Sequence, residues 1–155
     1  MKSKVFLFLV SVAALLTGCN KADVDIQSGS GSMTYDGATY SFDLSTLITS
    51  PSGDKYKHNV TFSNKGDGNV TFNFSVKDDN SQNGISAGDY QTTSAGGDCT
   101  AHFSINETTA GDYLMGTMNI SVSGDKYTFN FTGTTIDENT ETKMVEFTYT
   151  GKIVH

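Results

Sequence analysis

From Met33 onward the chain alternates apolar and polar residues with a period of two. In an extended strand that period puts successive side chains on opposite faces. Tyr40, Phe42 and Leu44 alternate with Ser41 and Asp43, and Tyr56, His58, Val60 and Phe62 form the next set. Val70, Phe72, Phe74 and Val76 are interleaved with Thr71, Asn73, Ser75 and Lys77, the clearest strand of the chain. A short strand is expected around Tyr90. Cys99, Ala101, Phe103 and Ile105 predict another, and Met118, Ile120 and Val122 share a face within Leu114 to Ser123. Tyr127, Phe129 and Phe131, then Val145, Phe147, Tyr149 and Ile153, complete the pattern. Asp36-Gly37 reads as a hairpin turn. Ser52-Gly53-Asp54-Lys55-Tyr56 recurs as Ser123-Gly124-Asp125-Lys126-Tyr127, which reads as reuse of one turn ahead of a buried tyrosine. Leu44 to Ser52, with the one proline at Pro51, reads as a loop or a helical turn, and Glu107 to Asp112 as a turn. No segment beyond residue 19 has a helical period. The fold expected is all-β: a single antiparallel β-sandwich of about nine strands, with a lipocalin-like β-barrel as the alternative.

The N-terminus has a different pattern. Lys2 and Lys4 precede the apolar run Val5 to Leu16, and Leu16-Thr17-Gly18-Cys19 closes it. A membrane-spanning helix needs ~20 apolar residues, so the run suits a cleaved signal peptide better than a span. Leu, Gly and Cys at these spacings form a lipobox, which makes Cys19 the expected lipidation site. The division expected is a signal peptide at 1–18, a lipidated cysteine with a flexible Gly/Ser tether at 19–32, and an antiparallel β domain at 33–155.

Composition narrows the function. The whole chain carries a net charge of −7, and loss of Lys2 and Lys4 leaves eight lysines against seventeen acids, or −9. There is no arginine. Phosphate backbones are bound by clustered Lys and Arg, so no nucleic-acid partner is expected. Cys99 shares a strand face with Ala101 and Phe103 and reads as a small core residue, with His102 out of phase on the other face. The three histidines lack zinc spacing, and no nucleophile elbow or phosphate loop occurs, so an enzyme is not expected. Asp79, Ser81 and Asn83, with Gly84, match the front half of a calcium loop. Position twelve is Tyr90 where such a loop has glutamate, so a site here would hold calcium only with Kd on the order of 10⁻⁴–10⁻³ M. No other cofactor is expected.

Three stretches, Ile85-Ser86-Ala87-Gly88-Asp89-Tyr90, Met115-Gly116-Thr117-Met118-Asn119-Ile120 and Phe147-Thr148-Tyr149-Thr150-Gly151-Lys152-Ile153, together with the lipobox, resemble the small lipoproteins of Bacteroidetes. The resemblance implies a lipid-anchored, all-β protein of the bacterial outer membrane and carries over no catalytic residue. Similarity to bacterial lipoproteins also implies a triacylated Cys19, hence a lasting tie to the bilayer. Asp23 and Asp25 make the residues after the cysteine mildly acidic, which leaves both the periplasmic and the cell-surface side open. The function expected is a non-enzymatic binding or interaction module that meets an envelope protein or glycan through its loops. The alternative is a lipocalin-like carrier of a small apolar ligand, and a third is a subunit or inhibitor acting through a sheet edge.

Overall fold

A computed structural model describes residues 27–64, 66, 69–79, 84–93, 97–106, 108–111, 113–137 and 139–153. Cys19, the signal segment, residues 19–26 of the tether, and Ser81 and Asn83 lie outside them. The regular elements are all strands: β1 (Gln27–Tyr35), β2 (Ala38–Ser52), β3 (Lys55–Ser63), β4 (Val70–Asp78), β5 (Gly88–Thr92), β6 (Cys99–Ile105), β7 (Thr108–Gly111), β8 (Met115–Ser123), β9 (Lys126–Ile136) and β10 (Thr142–Lys152). They form one antiparallel sheet in the order β5-β8-β9-β10-β1-β2-β3-β4-β6-β7. The all-β antiparallel expectation holds. Of its two forms the barrel is the nearer, because a single sheet curls back on itself where a sandwich would stack two.

Closure is visible at the seam. Thr93 N–H donates to Cys99 O (3.3 Å), and Leu114 N–H to Ala101 O (3.0 Å). These bonds bring the β5 and β8 side of the sheet against β6.

Apart from Leu44, beyond which β2 changes face, and Val122, the predicted faces are the observed ones. Val60, Phe62, Phe72, Phe74, Phe103, Met118, Phe129, Phe131, Val145 and Tyr149 are all essentially inaccessible to solvent. Rings from β3 and β4 meet rings from β9 and β10 across the interior, although two to four strands lie between them in the sheet order. Phe72 stacks on Phe147 at 4.0 Å, and Phe62 touches Phe129, Phe147 and Tyr149 at 4.7–5.1 Å. Each such pair adds ~0.5–1.5 kcal/mol beyond simple burial. Val122 has the right phase but is 40% exposed, one residue before the β8 strand end.

The turns behave as their sequences dictate. Asp36 and Gly37 both have positive φ (49° and 77°), the signature of a type I′ hairpin. Gly53 and Gly124 have φ of 69° and 63° in two-residue loops closed by the pairs Ser52–Lys55 and Ser123–Lys126. The repeated pentapeptide is therefore the same hairpin turn used twice, with Tyr127 buried just after the second.

Three expectations change. Gln27 to Ser32 is not tether but the first half of β1, paired to β2 and β10. Its glycines read as flexibility but serve packing. A Cβ on Gly31 would lie 2.8 Å from the Tyr149 ring and would also meet the β10 backbone, so only glycine lets that ring lie down on the strand. Leu44 to Ser52 is strand, the second part of β2. Next to it, β1 carries an extra residue between Ser28 and Gly31. The buried positions of β2 shift there from Phe42 to Ser45, which hid the strand's alternation. Among the described residues β1 pairs with β2 only as far as Ser45, so Pro51 sits beyond that pairing, where its missing N–H is tolerated. Glu107 to Asp112 contains β7 in place of a plain turn, a short strand on the edge of β6.

At the β1–β2 turn and the β9–β10 loop, Lys143 holds three acids: Glu141 (2.9 Å), Asp36 (3.3 Å) and Asp137 (3.9 Å). Bonds to Glu141 and Asp36 push its ammonium pKa above the usual range.

The glycine–aromatic packing gives a paired prediction. Gly31→Ala should lower stability by about 1–3 kcal/mol through overpacking. Tyr149→Phe should be neutral or slightly stabilising. Burial raises the Tyr149 pKa while the nearby Ser45 pulls the other way, yet among the described residues the buried phenol oxygen has no hydrogen-bond partner and the Ser45 hydroxyl donates to Lys152 O. Urea unfolding of both variants checks this; an unchanged midpoint for Gly31→Ala would mean the ring does not rest on that backbone.

Candidate functional site

Two polar arrangements stand out, one inside the barrel and one outside. The inner one centres on His58, which the alternation placed inward and which is fully buried. One ring nitrogen meets Thr49 Oγ1 (2.9 Å) and the other Asp78 Oδ1 (3.0 Å). The second oxygen of Asp78 accepts the Ser86 N–H (3.0 Å), and Tyr90 donates its hydroxyl to Ser86 O (2.7 Å). Ile85, between Gly84 and Ser86, is buried and plugs this end of the barrel. Burial, helped by the Asp78 charge, pushes the Tyr90 phenol up to about 12. Burial alone pushes the Cys99 thiol up to about 12, so it stays protonated and weakly nucleophilic, as a core residue would. This cluster satisfies itself: each ring nitrogen and each carboxylate oxygen is used within the chain.

The calcium expectation falls mostly outside the described residues. Asp79 is exposed at the end of β4. Asp78 is committed to His58 and Ser86, and Asp89 accepts from Asn119 (2.6 Å), so both acids that could have added charge to such a loop have other partners. Among the described residues no three His, Cys, Asp or Glu side chains gather into a metal-binding group.

The outer arrangement is a groove of about 300 Å³ lined by Lys57, Ser75, Lys77, Gly97, Asp98, Thr100 and Tyr113. Its floor is the solvent face of β3, β4 and β6. Lys57 is registered opposite Lys77, and Ser75 opposite Thr100. Two connections form the walls. The Lys77 N–H donates to Asp98 O (2.8 Å), pinning Gly97-Asp98 against the end of β4. The Leu114–Ala101 bond holds Tyr113, 48% exposed, beside β6. Lys77 Nζ lies 3.8 Å from the Asp98 carboxylate. The floor continues into hydroxyls and amides, with Thr61 donating to Asn73 (2.8 Å) and Thr71 sharing a hydrogen bond with Ser104 (3.1 Å).

Sequence reasoning looked for the site in the loops and did not single out these lysines. A signal was present. In the β3–β4 hairpin Phe62 faces Phe72, and stepping back along both arms by five residues reaches Lys57 and Lys77. Thr100, Asp98 and Tyr113 could not be added that way, since they come from later strands and connections.

The inner cluster yields a stability prediction. Asp78→Ala should cost about 2–3 kcal/mol, because it strips one partner from a buried imidazole and one from the Ser86 amide. Thermal unfolding checks it, and a melting temperature within a degree of the parent would show that the His58–Asp78 contact adds nothing to stability.

Among the described residues no helix is long and apolar enough to cross a membrane. Compared with known proteins, the chain matches no family model, no curated protein and no solved structure, so its own residues carry the functional reading.

Proposed function

We propose that this protein is a non-enzymatic binding module of the bacterial cell envelope, tied to the outer membrane through Cys19, with the β3–β4–β6 groove as its ligand site. The observation that carries the reading is the contrast between interior and exterior. Inside, Phe62, Phe72, Phe129, Phe147 and Tyr149 pack ring against ring where a carrier would hold an apolar ligand. Outside, a recess at the small end of the usual ligand-pocket range, on the order of 300–1,000 Å³, combines charges, hydroxyls and one half-exposed aromatic. A rigid barrel is a good carrier for such a surface, because its floor residues are held by strand pairing on both sides.

The anchor and the groove are tested separately. Cys19→Ala in the full precursor should block processing or move the protein from the membrane fraction to the soluble fraction. Normal processing with unchanged membrane partition would refute the lipoprotein reading. For the groove, the mature chain with Cys19→Ser is titrated with a panel of envelope oligosaccharides and peptides while backbone amide shifts are followed by NMR. The expected shifts cluster on Ser75, Lys77, Gly97 and Thr100 and vanish in Thr100→Trp, which fills the groove. Shifts that cluster at the barrel ends and persist in Thr100→Trp would move the site elsewhere.

A further inference from the structure

We infer that the groove takes an acidic saccharide, one bearing a carboxylate on a sugar ring. This rests on the groove being the ligand site and names its ligand class. Three features converge. First, Lys57 and Lys77 are directly opposed on adjacent antiparallel strands, an arrangement in which like charges repel. Asp98 offsets part of that repulsion from the Lys77 side, at 3.8 Å. No ion pair of Lys57 with another described residue accompanies it. The described lining thus sets two lysines against one acid in a mature chain of net charge −9, and an anion placed between the two ammonium groups offsets their repulsion.

Second, the rest of the lining suits a sugar better than a bare anion. Ser75 and Thr100 offer hydroxyls that both donate and accept, and the Asp98 carboxylate, 70% exposed, can only accept. A polyhydroxylated ring meets this mixture with many donors, whereas sulfate has none and phosphate only one or two P–OH groups, so that mostly anionic acceptors would face the Asp98 carboxylate. Third, Tyr113 presents a half-exposed ring at the wall, a face against which the apolar C–H side of a pyranose can pack. The two lysine ammonium groups act as point charges toward a carboxylate, in a chain that has no arginine fork to offer. An acidic peptide would satisfy the lysines but has no ring face for Tyr113.

The test is calorimetric titration of the mature chain carrying Cys19→Ser with four probes: a galacturonic acid trimer, a galactose trimer of the same linkage, a glutamate hexapeptide and inorganic phosphate. The acidic trimer should bind best, at least fivefold tighter than the neutral one at low salt, with the gap narrowing as salt is raised. Lys57→Met should weaken the acidic trimer about fivefold and leave the neutral trimer unchanged. Lys77→Met is the second variant, in case the first perturbs folding, and should act in the same direction. Tyr113→Ala should weaken both trimers alike. Equal affinity for the two trimers would overturn the charge selectivity while leaving a saccharide groove. Tighter binding of the peptide or of phosphate would overturn the saccharide class. Binding of the acidic trimer that is unaltered by Lys57→Met, Lys77→Met and Tyr113→Ala would place it outside the groove and overturn the inference, as would absence of binding by all four probes.

Discussion

The structure depends on how closely aromatic rings can approach the backbone of a curled sheet. The interior of this single ten-stranded sheet is occupied largely by phenylalanine and tyrosine. Two of these rings, Tyr149 and Phe131, lie where nearby residues have no Cβ. Gly29 and Gly31 on β1, with Gly151 on β10, make room for Tyr149. Gly116 and Gly133, partners across β8 and β9, do the same for Phe131. The glycines weaken their strands by propensity, and the rings that cover them restore more than is lost through burial of ~1.5–3 kcal/mol each.

That packing leaves one end of the barrel needing a different closure. There the interior strands finish in Thr49, His58 and Asp78, polar groups that cannot be buried unpaired. They pair with one another and, through the Ser86 amide, take hold of the connection that inserts Ile85. The cluster is thus a polar lid joint whose partners are all within the chain. At the other end the acidic loops are held by Lys143, which matters in a chain with so few cations. Among the described residues, both ends are tied by contacts within the chain.

On the outer wall the strands present hydroxyls and amides that bond to each other across β3, β4 and β6, and two lysines that stand opposite one another. The connection at Gly97-Asp98 and the segment at Tyr113 raise sides around them. A recess made this way is held by the barrel's own hydrogen bonds, so its geometry exists before any ligand arrives, which limits the ordering cost of binding.

Local alternation was enough to determine most of the strands and which of their faces is buried. Phe72, Phe74, Phe129 and Phe147 could be assigned inward from their neighbours alone, because a two-residue period is a property of the extended chain itself. Turn chemistry was equally local: Asp36-Gly37 and the two Gly-Asp pairs specify φ values that few other residues accept. The tertiary structure decided everything that depends on which strand meets which. It made a strand of Gln27 to Ser32, because Tyr149, far along the chain, needs Gly31 beneath it. It made a strand of Leu44 to Ser52, because β3 pairs along its full length past a bulge that scrambles the pattern. It also assembled the groove from Lys57, Lys77, Asp98, Thr100 and Tyr113. Their meeting is set by sheet register and barrel closure over more than fifty residues, and no local period records contacts at that separation.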